Sequence, residues 1–115
     1  MREQSRIVFR SIFRMKVSER ASGRLVGYVG DISERGIKIL TDEALEQGTL
    51  MRLRLRTRNG EGAIVSVDVD AECLWCRANA KSGYFESGVH VDQPSDAFTK
   101  LVEGLRKRRK TPDVV

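Results

Sequence analysis

Two short clusters hold residue types suited to binding chemistry: Arg2-Glu3-Gln4-Ser5-Arg6, an R-x-x-x-R, and Asp31-Ile32-Ser33-Glu34-Arg35-Gly36, a D-x-S-x-x-G. Between Arg6 and Asp31 lie 24 residues. A guanidinium is a planar fork of donors that fits a phosphate, or the O6/N7 edge of a guanine, with two parallel bonds. Aspartate offers acceptors only, which suits the N1–H and N2–H donors of a guanine. Ser33 can donate to a phosphate oxygen or a ring nitrogen. Gly36 removes a Cβ where the chain turns tightly or a ligand comes close. Either cluster alone is a weak signal. Arg6/Arg10 and Arg10/Arg14 also satisfy R-x-x-x-R, and Asp, Ser and Gly are turn formers, so Asp31 to Gly36 also reads as an ordinary hairpin turn.

These side chains need a scaffold, and the apolar pattern is mostly period two, as strands require. Phe13, Met15 and Val17 alternate with Arg14, Lys16 and Ser18. A Ser22-Gly23 turn leads to a strand through Leu25 to Asp31, and Ile37 and Ile39 flank Lys38 beyond the motif. The clearest strand, Arg52 to Arg58, puts leucines on one face and arginines on the other. Beyond Asn59-Gly60-Glu61-Gly62, residues Val65 to Glu72 alternate in the same way. A hairpin across that turn sets Arg54 near Asp68 and Arg52 near Asp70. The arginines therefore read either as a nucleic-acid stripe or as a face neutralised from across the hairpin, and the second reading is adopted.

Tyr84 to Val91 forms the last strand, with Val89 and Val91 facing in, and Gly88 and an exposed His90 facing out. No nucleophile or carboxylate constellation gives His90 a catalytic task. Trp75 has two readings. Strand parity puts it inside with Val69 and Cys73, yet at the strand end beside Arg77 a barrel rim would present the indole to a base. After Pro94 the period becomes helical: Ser95 is the predicted N-cap, and Ala97, Phe98, Leu101, Val102 and Leu105 form one stripe. Arg106 to Lys110 suit the negative end of that helix dipole, and Thr111-Pro112 stops it. About six antiparallel strands and one helix imply a small closed barrel.

A chain of 115 residues is one domain. Its formal charge is +5; taking away the five positive charges of Arg106 to Lys110 and the one negative charge of Asp113 leaves residues 1–105 at +1. A near-neutral body with a basic tail argues against a broad nucleic-acid face. No apolar run is long enough for a membrane span or a signal peptide, so the expected location is the cytoplasm, without membrane insertion. Cys73 and Cys76 form one C-x-x-C. A structural zinc takes four ligands and only His90 is left to join them. Residues three apart on a strand point to opposite faces, so two unremarkable thiols are expected. No nucleophile–base pair or metal cluster is visible, and no enzyme is expected.

The order and spacing of the two clusters, and a match continuing to about Leu105, resemble the PilZ domain, a bacterial receptor family for the second messenger cyclic di-GMP. The Gly88-Val89 end of the last strand also looks like the glycine-containing last strand of that family. The resemblance implies an all-β fold, a six-stranded antiparallel barrel packed by a C-terminal α-helix. It divides the chain into a flexible arm (1–10), the barrel with its helix (11–105) and a basic tail (106–115). Carried over, Arg2 and Arg6 would bind phosphate and the guanine edge. Asp31 and Ser33 would hold guanine and a nearby phosphate, and Gly36 would shape the turn. Arg10, Trp75 and Gly88 are further candidate contacts, and Arg6/Arg10 is the alternative arginine register. The ligand would be cyclic di-GMP, one molecule or a stacked pair, with no cofactor. The arm, ordered by ligand, would pass the signal to a downstream protein partner. Two alternatives stand beside this: a PilZ-type docking module with weak or no nucleotide binding, and a small nucleic-acid-binding barrel using the basic tail, although nucleic acid is not the expected partner.

Overall fold

Alternating leucine and valine faces close on themselves in the computed structural model, which describes residues 7–8 and 14–110. The strands are β1 (Ile7–Val8), β2 (Lys16–Glu19), β3 (Leu25–Ile32), β4 (Gly36–Thr41), β5 (Leu50–Arg58), β6 (Ile64–Ala78) and β7 (Phe85–Asp92), followed by α1 (Asp96–Lys110). Neighbours run β3-β2-β5-β6-β7-β4, and β4 returns to β3, so six antiparallel strands form a closed barrel with no free edge in the ring. The two-residue β1 adds to β3, pairing Ile7 with Ile32 and Val8 with Asp31.

The inward residues are those that alternation predicts. Val17, Leu53, Leu55, Val67, Val69, Val89 and Val91 are all buried in one core. The β5–β6 register brings Arg54 opposite Asp68 and Arg52 opposite Asp70. Arg54 Nε lies 2.8 Å from Asp68, and this bond holds the Asp68 carboxyl below its ordinary range. Asp70, however, is ion-paired with Arg20 from the loop after β2. Neutralisation also stops short, since Arg56 faces Ser66 and Arg58 faces Ile64. The expectation that acidic partners across the hairpin largely neutralise this face is thus corrected for the far half of β5.

A register shift on β6 between Cys73 and Trp75 leaves one residue over. A single extra residue flips every later side chain to the other face. Cys73 is fully buried, whereas Leu74 and Trp75 are 48% and 39% exposed. Trp75 is therefore outside, and the parity reading that put it beside Val69 is overturned. The same shift turns both thiols inward: Cys76 packs against the core and its sulfur accepts the Leu45 N–H. The expectation of opposite faces for the two cysteines fails for this reason. Burial, reinforced by Cys76, pushes the Cys73 thiol up.

Ser95 caps α1 as predicted, its Oγ accepting the Phe98 N–H at 3.1 Å. Phe98, Val102 and Leu105 then join Ile7, Met15 and Ile32 in the barrel core.

Candidate functional site

On the outer wall, antiparallel pairing draws one row of residues across five strands. Val8 on β1 faces Asp31 on β3, Asp31 faces Lys38 on β4, Lys38 faces Gly88 on β7, and Gly88 faces Trp75 on β6. Two register shifts produce this alignment, one between Val29 and Asp31 and one between Cys73 and Trp75. Such irregularities re-aim side chains and are common beside binding sites.

Asp31 is only 8% exposed, and Lys38 Nζ stands 3.5 Å from its carboxylate. Ser33 is equally buried, with its N–H donating to the Gly36 carbonyl at 2.9 Å. That bond closes the turn between β3 and β4 and keeps the motif compact. The middle of the turn is anchored from outside. Glu34 accepts two bonds from Arg106 on α1, at 2.8 Å from Nε and 2.7 Å from Nη2. This bidentate pair holds the Glu34 carboxyl below its usual range. Arg35 contributes its carbonyl to the Val91 N–H.

At the other end of the row the indole of Trp75 lies over Gly88, with the Arg77 guanidinium carbon 5.1 Å from the ring centroid. Arg77 also reaches Glu86, its cross-strand partner, at 3.4 Å. Glu86 is nearly buried; the Asn79 side-chain amide, then the charges of Lys38 and Arg77, keep its carboxyl below the ordinary range. The wall thus offers an acceptor at Asp31, cations at Lys38 and Arg77, and a half-exposed aromatic face. Those are the groups that recognise a phosphate and a purine. His90, expected to be exposed, is half-buried, opposite Gly36 and Glu72.

Of the residues singled out from sequence, Asp31, Ser33, Gly36, Trp75 and Gly88 come together on this side of the barrel, while Arg2, Arg6 and Arg10 lie outside the described residues. Lys38, Arg77, Glu34 and Arg106 were missed. Glu34 sits at an unspecified position of D-x-S-x-x-G, and Arg106 opens what looked like a solvated tail. Nothing short of the fold brings them together.

The family model described as "PilZ domain" matches residues 2–107. Comparison with curated proteins gives no match. Among solved structures, the chain is similar to the Bacillus subtilis inhibitor of motility (MotI/DgrA), with a TM-score of 0.70 and 16% identity over 94% of this chain. The match spans 50% of that protein's length.

Proposed function

Because this chain belongs to the PilZ domain family, we propose that it is a cytoplasmic receptor for cyclic di-GMP. The observation that carries this reading is the row Asp31–Lys38–Gly88–Trp75, lying beside the strand that begins immediately after Arg6. Asp31 accepts from the N1–H and N2–H edge of one guanine, and Ser33 contacts the adjoining phosphate. Arg2 and Arg6 supply bidentate contacts to phosphate and to a guanine O6/N7 edge. Trp75 provides a stacking face. Gly36 keeps the turn narrow beneath the ligand.

The register of this proposal is Arg2/Arg6, with Arg6/Arg10 as the alternative. β1 begins at the residue after Arg6 and pairs Ile7 with Ile32, inside the D-x-S-x-x-G motif. Fixing the N-terminal segment costs about 1–2 kcal/mol per residue in backbone entropy. Charge-assisted hydrogen bonds of about 1.5–3 kcal/mol each, with stacking of about 1–3 kcal/mol, offset that cost. The fixed segment and the nucleotide then form a surface that a downstream protein reads. Among the described residues no helix is long and apolar enough to cross a membrane.

Calorimetric titration of cyclic di-GMP into the wild type, Arg6→Ala, Arg10→Ala and Asp31→Ala tests the reading. Heat with the wild type, lost with Arg6→Ala and Asp31→Ala and retained with Arg10→Ala, is the expected pattern, and the same curve reports the stoichiometry. A folded wild type that gives no heat overturns the receptor reading in favour of a docking module. Loss with Arg10→Ala but not with Arg6→Ala moves the register.

A further inference from the structure

Among the described residues, the charge ladder of β5 is compensated at one end only. Arg54 has Asp68 across from it, and Asp70 is taken by Arg20. Further along, Arg56 has Ser66 on one side and Lys16 of β2 on the other. Like charges directly opposite each other destabilise a strand pair, so the Lys16–Arg56 pairing works against the fold. Thr57 Oγ1 donates to the Arg14 carbonyl, which ties Arg14 to the same corner, and Arg58 Nη1 is fixed by the Gly62 carbonyl at 2.8 Å. Arg14, Lys16, Arg56 and Arg58, with Asn59 and Ile64, line a concavity of about 650 Å³. Among the described residues no carboxylate lines it.

This concavity lies on the β2–β5 wall and shares no lining residue with the Asp31–Trp75 row on β3, β4, β7 and β6. We infer that it is the docking site for an acidic segment of a partner protein. Four cations around one hollow attract carboxylates and steer their approach. Ile64, 57% exposed, sets an apolar contact beside the charges, and such a mixture suits a protein interface. A nucleic-acid strand fits less well. Its phosphates would run along β5 into Asp68 and Asp70, and among the described residues no aromatic side chain lines the hollow to stack a base. The inference draws on the receptor reading only for the existence of a partner.

The test is fluorescence anisotropy with a short fluorescein-labelled Glu/Leu peptide and, separately, a labelled oligothymidylate of equal charge. Proteins compared are the wild type, Lys16→Glu, Arg56→Glu and a charge-matched control, Arg24→Glu, in a remote turn. Each of the first two variants turns a like-charge pair into an opposite-charge pair, so both are expected to fold with a Tm no lower than that of the wild type. Peptide affinity is expected to fall about tenfold or more in both, and little in Arg24→Glu. Cyclic di-GMP titration of the same variants is expected to match the wild type, which separates failure of this site from failure of the receptor reading. Equal peptide losses in all three variants, or no peptide binding by the wild type at low salt, would overturn the proposal. Tighter binding of the oligothymidylate than of the peptide, lost with Lys16→Glu and Arg56→Glu, would assign the hollow to nucleic acid instead.

Discussion

The indole of Trp75 lies so close over Gly88, its cross-strand partner on β7, that a Cβ at position 88 would overlap the indole nitrogen. Gly88 is buried because the ring covers it, and the ring has a set position because the glycine leaves room. A methyl group there must push the ring outward. Overpacking of this kind costs about 1–3 kcal/mol in a closed core, and less where a half-exposed ring can swing away. Gly88→Ala is therefore expected to fold, to shift the tryptophan emission, and to weaken cyclic di-GMP binding about tenfold. Unchanged emission and affinity together would show that the ring position matters to nothing.

Truncating the aromatic itself gives a second prediction. If Trp75 stacks on a base, Trp75→Ala removes about 1–3 kcal/mol, a loss of roughly 5- to 150-fold in affinity. Trp75→Phe keeps a ring and recovers most of it. Titration of both variants decides the matter, and wild-type affinity in Trp75→Ala would mean the ligand stops short of β6.

Why the row was only half legible can be seen from its members. Asp31, Ser33 and Gly36 could be read because their types and spacing form a motif. The inward faces of β5 and β6 could be read because Leu53, Leu55, Val67 and Val69 alternate without interruption. Trp75 could be read only as one of two alternatives, inside by parity or presented at the rim, because parity counts residues and carries no mark for an extra one. The adjacent pair Leu74-Trp75, two apolar residues together in an alternating strand, was the available hint. Lys38 seemed to be just the polar residue between two isoleucines until the shift at Gly30 brought it opposite Asp31. Glu34 and Arg106 are 72 residues apart, and no local pattern links them.

Lys38 is the cation shared by two nearly buried carboxylates. It pairs with Asp31 at 3.5 Å and its charge lowers the Glu86 carboxyl. Lys38→Met leaves both acids with less compensation. The expected cost is about 1–2 kcal/mol, between the values for an exposed and a fully buried pair, or roughly 4–8 °C in Tm. Lys38→Arg should restore most of the stability. Thermal melts of the two variants at neutral pH check this, and equal Tm values for Lys38→Met and the wild type would remove Lys38 from the role.

The Glu34–Arg106 pair ties the motif turn to α1, and its pH dependence follows from the Glu34 carboxyl. Arg106 lowers that carboxyl in the folded chain from an ordinary value of 4.5. A group whose folded pKa is depressed adds stability above its unfolded pKa and loses it as pH falls through the folded value. Both side chains are about a quarter exposed, so solvent screening holds the contribution to about 1 kcal/mol. Glu34→Gln is expected to melt a few degrees below the wild type at pH 7, with the gap closing as pH falls below the lowered carboxyl pKa. Arg106→Ala should show a gap at least as large. The double variant should cost about as much as Arg106→Ala alone, since the bond to Glu34 is already lost there. A gap that persists in acid, or costs that add in the double variant, would show that the bond carries no coupling between turn and helix. Because the pair lies beside the Ser33–Gly36 turn but outside the Asp31–Trp75 row, Glu34→Gln is expected to weaken cyclic di-GMP binding only a few-fold, and Asp31→Ala to abolish it.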